Sequence, residues 1–131
     1  MKKIGLSILF LILALLITIS VYADDEGKIA VAAESKTSTA DVSAVAARSP
    51  YFLIFDSASI LLEVLENPYK DTGRRAGPSV AAFLAQKRVT FVIAGQFGDN
   101  MIQAMKSKGI QYLEFRGSTE AALEKVRELR K

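Results

Sequence analysis

An uncharged apolar run from Ile4 to Val21 restricts this chain's folding more than any other feature. It is near the roughly 18-residue minimum for a membrane span, and no other segment is long enough to pack around a buried helix of that kind. Lys2 and Lys3 precede the run. Val21, Tyr22 and Ala23 then place small or medium residues where a signal peptidase cuts, and Asp24, Asp25 and Glu26 begin a solvated stretch. That order is the pattern of a secretory signal. Two outcomes stay open, cleavage after Ala23 or retention of residues 1–23 as an anchor. In both, Lys2 and Lys3 remain on the cytoplasmic side and the rest of the chain faces outward. The expectation is an exported protein, periplasmic or on the outer face of the membrane, that touches the bilayer only through this segment.

Setting those 23 residues aside from a chain of 131 leaves 108, enough for one domain with a core of its own. The formal charge of +3 includes Lys2 and Lys3, so the remainder is close to neutral. No basic stripe interleaved with aromatics occurs, which leaves nucleic-acid binding without electrostatic support. Cysteine and histidine are both absent. The exported part must therefore be held by its core alone, without disulfides. Thiolate and imidazole metal ligands are excluded, and so are Cys or His nucleophile–base pairs.

Within that part, Lys28 to Ala33 reads as a short buried strand. Glu34 to Ala47, rich in Ser, Thr and Ala, reads as a loop with a short helical turn. Tyr51 to Asp56 is a strong strand with Pro50 at its mouth. Ser57-Ala58-Ser59 connects it to a return strand, Ile60 to Glu66, closed by Asn67-Pro68. A polar loop from Tyr69 to Gly77 leads to a helix with Pro78 in its first turn and Val80, Phe83 and Leu84 on one face. Val89 to Ala94 has the continuous apolar character of a strand buried on both sides. Gly95-Gln96-Phe97-Gly98 turns into a helix that points Met101, Ile102 and Met105 at the core, with Gly109 as its stop. Gln111 to Phe115 is a short strand. The last helix opens at Gly117-Ser118-Thr119 and carries Ala122, Leu123, Val126 and Leu129 as its apolar stripe. The expected fold is α/β, in the order βββαβαβα. An initial hairpin gives antiparallel pairing and later crossovers give parallel pairing, so the five-stranded sheet is mixed, with helices on its faces.

These residues resemble a known family. Lys28 to Ala32, Arg48-Ser49-Pro50-Tyr51-Phe52-Leu53-Ile54-Phe55-Asp56, Glu66-Asn67-Pro68 and Val92-Ile93-Ala94-Gly95 resemble, in order and spacing, the dinitrogenase iron–molybdenum cofactor biosynthesis family. Gly98-Asp99-Asn100, Lys108-Gly109-Ile110 and Gly117 to Leu123 continue the likeness, which spans residues 28–129. The resemblance implies a ribonuclease-H-like arrangement and a role as carrier or chaperone of iron–sulfur or iron–molybdenum clusters. Family members often carry Ser-x-His-Phe-Gly before the Arg-x-Pro-Tyr-Phe segment, with the histidine as a candidate cluster ligand. Here that run is Ser43-Ala44-Val45-Ala46-Ala47, and Val45 stands in the histidine's place.

Candidate binding residues fall in three segments. Gly73-Arg74-Arg75-Ala76-Gly77-Pro78 is a basic loop entering a helix, where unpaired N–H groups and the guanidiniums of Arg74 and Arg75 suit an anion. The same residues also suit a plain solvated connection. Gly95, Gln96, Phe97 and Gly98 end a buried strand on the sheet edge where α/β proteins bind ligands, or else merely make the turn. Phe97, if exposed, would mark a contact surface. Arg48, by resemblance, borders the cluster face. Met101 and Met105, at helical spacing, read as core rather than as a copper site. Nuclease chemistry needs converging carboxylates, and the strands and first helix do not supply them. The expectation is a non-enzymatic accessory protein with no catalytic residues and no protein-ligated metal. It binds a metallocluster or another small anion, or alternatively serves as a protein-interaction module that kept the fold and lost the ligand.

Overall fold

The computed structural model describes residues 27–131; the signal or anchor reading of residues 1–23 lies outside them. Five strands and three helices alternate as expected: β1 (Lys28–Ala33), β2 (Tyr51–Phe55), β3 (Leu61–Glu66), α1 (Ala76–Gln86), β4 (Val89–Ala94), α2 (Asp99–Ser107), β5 (Gln111–Glu114) and α3 (Thr119–Leu129). The strands form one sheet in the order β3-β2-β1-β4-β5. β2 is antiparallel to both its neighbours, while β1, β4 and β5 pair in parallel. This is the mixed α/β sheet expected from the sequence.

Side-chain alternation along the central strands builds two cores. On one face Ala30 and Ala32 of β1, Phe52 and Ile54 of β2, and Val92 and Ala94 of β4 meet Val80 and Leu84 of α1 and Met101 and Met105 of α2. On the other face Ile29, Val31, Leu53, Phe55 and Ile93 meet Ala122, Leu123 and Val126 of α3. Strand β1 is buried on both sides because it lies in the middle of the sheet, and its small side chains let the helices approach. Met101 and Met105 are core residues at 1% and 0% exposure, as their spacing indicates.

Three details differ from expectation. Leu129, placed on the apolar stripe of the last helix, is 59% exposed: it lies at the very end of α3, beside the open β5 edge, and stays outside the core formed by Ala122, Leu123 and Val126. Ile60, read as the start of the return strand, belongs to the turn, and the strand begins at Leu61. That turn is organised by Asp56, whose carboxylate Oδ1 accepts the N–H groups of Ala58 and Ile60, both at 2.9 Å, with Ser59 in the left-handed region. Phe115 lies just beyond β5, although its N–H still donates to the Ala94 carbonyl at 2.9 Å.

Residues 34–48 form the loop expected, ending in a 3-10 turn at Ala46–Arg48. This loop crosses the carboxyl ends of β1 and β4. The Ser43 N–H donates to Ala32 at 2.7 Å, the Gly95 N–H donates to Ser43 at 2.8 Å, and the Ala46 N–H donates to Gln96 at 3.0 Å. The buried hydroxyl of Thr119 ties the same loop to α3 through the Ala40 carbonyl at 2.8 Å. No helix among the described residues is long and apolar enough to cross a membrane.

Candidate functional site

Where the loop leaves the sheet it walls a cleft of about 390 Å³ over the carboxyl ends of the parallel strands. Ligands favour this edge of an open α/β sheet. Three segments contribute the walls: Val45, Ala47 and Arg48 from the crossing loop; Gly73, Arg74, Ala76 and Gly77 from the entry to α1; and Gly98, Asp99, Asn100 and Met101 from the start of α2.

Local chemistry explains why these segments meet. Gly73 adopts φ +68°, a conformation that disfavours other residues, and this begins the 3-10 turn that carries Arg74. Gly77 lies in the first turn of α1 against the first turn of α2. A Cβ there would stand 2.9 Å from Met101 Cβ and 3.2 Å from its backbone nitrogen. The missing side chain lets two helix N-termini share one cleft. Neither start carries a side-chain cap; at α1 the Ala76 N–H is taken by the Gly73 carbonyl of the preceding 3-10 turn, so it is the first N–H groups of α2 that are left for solvent or ligand. Pro78 has no N–H to contribute, whereas the start of α2 supplies N–H groups from Asp99, Asn100 and Met101.

The crossing loop is anchored from below. Ser49, fully buried, directs its hydroxyl at the Ala33 carbonyl (3.2 Å) and the Tyr51 carbonyl (2.7 Å). Asn67, also buried, donates from Nδ2 to the Ala47 carbonyl at 2.9 Å and accepts the Tyr69 N–H through Oδ1 at 2.9 Å. Val45 and Arg48 are therefore displayed on a turn whose own backbone is fixed.

Of the residues singled out from the sequence, Arg48, Arg74 and Gly98 line the cleft. Arg75, Gly95, Gln96 and Phe97 do not. Arg75 lies one residue past Arg74 on the same turn, outside the lining. Gly95 is needed for another reason: a Cβ would sit 2.7 Å from the Ala44 carbonyl oxygen, where the loop crosses β4. Gly98 has φ −73° and open space around it, so neither backbone nor packing demands glycine there. Phe97 is 4% exposed and packs at 5.0 Å, ring centroid to centroid and tilted, against Tyr112, which rules out the apolar loop tip considered from the sequence. Asp99 and Asn100 were legible only as a helix start, and their place in the cleft follows from the convergence of α1 and α2.

The ion pairs among the described residues join Lys87 to Glu63 and Lys125 to Glu128. Neither involves Arg48 or Arg74. The cleft thus holds two guanidiniums without carboxylate partners among the described residues, against the single carboxylate of Asp99. Such a donor set fits an anion. It does not fit direct ligation of a metal: the sequence has no cysteine or histidine, and no cluster of three acidic ligands forms among the described residues. The two aspartates that end a strand or begin a helix lie far apart. Asp56 follows the antiparallel β2 near the start of β1, and Asp99 follows β4 at the opposite sheet edge.

Comparison with known proteins agrees with this architecture. A search of curated proteins finds no match. Among solved structures, the chain is similar to a protein provisionally assigned as NifB from Thermotoga, with 30% identity and TM-score 0.68, covering 78% of this chain and 88% of that one. The apo form of the orange protein from Desulfovibrio gigas shares the fold at 24% identity and TM-score 0.69, covering 79% of this chain and 88% of that one. A provisionally assigned dinitrogenase from Methanocaldococcus jannaschii shares it at 14% identity and TM-score 0.55, covering 79% and 89%. The family model described as dinitrogenase iron-molybdenum cofactor matches residues 27–129, the span that contains both cores and every wall of the cleft. By that match the chain belongs to the dinitrogenase iron–molybdenum cofactor family.

Proposed function

We propose that this protein is a non-enzymatic accessory protein, exported from the cytoplasm, that binds an anionic ligand in the cleft between the crossing loop and the starts of α1 and α2. The observation that carries this reading is the presence of Arg48 and Arg74, neither in an ion pair among the described residues, beside the uncapped start of α2. Family membership makes an iron–sulfur or iron–molybdenum type cluster the first cargo to test. Such a cluster is anionic, and here it would be held through its outer atoms by guanidinium and backbone N–H donors, with no bond from protein to metal. Phe97, buried against Tyr112, removes one support of the interaction-module alternative, which the missing histidine and cysteine still favour. Export rests on the sequence of residues 1–23 alone.

Anaerobic titration of the purified chain with a cluster donor, followed by visible absorbance, tests this reading. Charge-assisted hydrogen bonds contribute about 1.5–3 kcal/mol each. Arg48→Ala and Arg74→Ala are each expected to weaken uptake by roughly ten- to a hundredfold, while Arg75→Ala leaves it unchanged. A wild-type protein that stays colourless would refute the cluster as cargo. Equal effects of Arg74→Ala and Arg75→Ala would refute the cleft as the site.

A further inference from the structure

Strand direction decides which charges meet. Helices α1, α2 and α3 run back against the parallel strands, so all three finish at the end of the sheet where β1, β4 and β5 begin. Helix carboxyl termini favour cations, and this end of the molecule collects them. Lys28 opens β1, Arg88 precedes β4, Lys106 and Lys108 stand at the close of α2, and Arg130 and Lys131 follow α3. Lys28 is half-buried and the others are exposed. None of them is in an ion pair among the described residues. The fold also fixes where they stand. The Arg88 carbonyl accepts the Lys28 N–H at 3.2 Å, and the Arg130 guanidinium lies over the Phe91 ring, 5.7 Å from its centre.

The acidic side chains nearby are already engaged. Glu63 pairs with Lys87 and Glu128 with Lys125, while the Asp56 carboxylate accepts the N–H groups of its turn. The carboxyl end of the sheet, by contrast, mixes both signs, with Glu34, Asp41 and Glu114 beside Lys36, Arg48 and Arg116.

Two further features share the basic end. Ile60, 60% exposed, stands on the β2–β3 turn, which the pairing of Phe55 with Ile29 puts beside the start of β1. The chain also arrives here. Gly27, where the described residues begin, lines a depression of about 510 Å³ with Ser57, Thr90 and Arg130. Between Gly27 and the uncharged run ending at Val21 stand only Tyr22 to Glu26, a tether of about 20 Å at full extension.

We infer that, with residues 1–23 retained as an anchor, this basic end lies against an anionic phospholipid surface, with Ile60 entering the headgroup layer. A tether this short holds the end that carries Gly27 toward the bilayer, and the free cations stand on that end. Beside anionic headgroups each lysine or arginine strengthens attachment about fivefold, and the free cations outnumber the carboxylates of Asp24, Asp25 and Glu26 in the tether. The cleft, at the opposite end of the strands, then opens away from the membrane. This placement rests on the export reading and uses none of the cleft residues.

The absence of cysteine lets a single fluorescent probe be placed on the full chain, reconstituted in phosphatidylcholine vesicles with or without phosphatidylglycerol. Ile60→Cys carries the probe at the basic end and Ser38→Cys carries it on the crossing loop, both exposed positions. Headgroup spin-labelled lipid is expected to quench the probe at position 60 severalfold more than at position 38, and more strongly with phosphatidylglycerol present. Equal quenching at the two positions, or no dependence on phosphatidylglycerol, would overturn the inference. So would a probe at position 60 that responds to a single-stranded oligonucleotide in place of anionic lipid. Lys106→Glu with Lys108→Glu, and Arg130→Glu with Lys131→Glu, are each expected to reduce the phosphatidylglycerol-dependent quenching severalfold, while Arg75→Glu leaves it unchanged. A chain extracted from the vesicles by alkaline carbonate would overturn the anchor and the membrane face together. A chain that stays but shows no contrast between the two positions would overturn the membrane face alone.

Discussion

At the scale of single residues, the cleft depends as much on what is missing as on what is present. Gly77 contributes no side chain, and its Cα is what allows the first turns of α1 and α2 to touch. Replacing it with alanine forces backbone apart, because the atoms a methyl would meet include the nitrogen and Cα of Met101 at 3.2 and 3.3 Å. Gly77→Ala is expected to cost about 1–3 kcal/mol, read from the urea midpoint, and to weaken anion binding as the helix starts separate. Gly73 has open space and a positive φ instead, so its substitution strains the turn that carries Arg74 without any clash. Arg74 and Arg75 are indistinguishable as letters in a sequence. They become different only when the turn places one in the cleft and the other outside it.

At the scale of elements, Asn67 joins the end of the β2–β3 hairpin to the crossing loop through its side-chain amide. One end donates to Ala47 and the other accepts from Tyr69. Asn67→Ala would remove both bonds from half-buried partners and is expected to cost about 1–3 kcal/mol. Hydrogen exchange should show faster opening of residues 44–49 than of β1. The elements were largely legible in the sequence because each has a dominant local signal. Val89 to Ala94 is uninterrupted and apolar, Asp56 and Ser57 to Ser59 mark a turn, and Met101 and Met105 sit at helical spacing. Relations between elements were much less legible. Periodicity extended the α3 stripe to Leu129, which the structure leaves 59% exposed at the end of the helix. A glycine-flanked phenylalanine suggests an exposed tip, yet Phe97 turns inward onto Tyr112 of a strand that follows later in the chain. The cleft draws on three separate segments, and no local pattern announces that Val45, Arg74 and Asn100 are neighbours.

At the scale of the whole molecule, two cores share one sheet. Phe52 points to the layer of α1 and α2, and Phe55 points to the layer of α3, from positions on the same strand. Phe52→Ala and Phe55→Ala are each expected to cost about 3–5 kcal/mol. Tyrosine fluorescence and far-ultraviolet circular dichroism should still report one coincident transition in both variants, since neither layer can persist without β2. Separate transitions would show that the layers unfold independently. The crossing loop has a different consequence, for descent. Its position is set by main-chain bonds and by the buried side chains of Ser49 and Asn67, while Val45 and Arg48 occupy the turn without holding it in place. Anchorage and display are assigned to different residues. A lineage can therefore exchange what the turn presents, including a potential metal ligand for a valine, while inheriting the scaffold intact. Only the displayed side chains have this freedom; the glycines that shape the cleft are held by packing and backbone conformation.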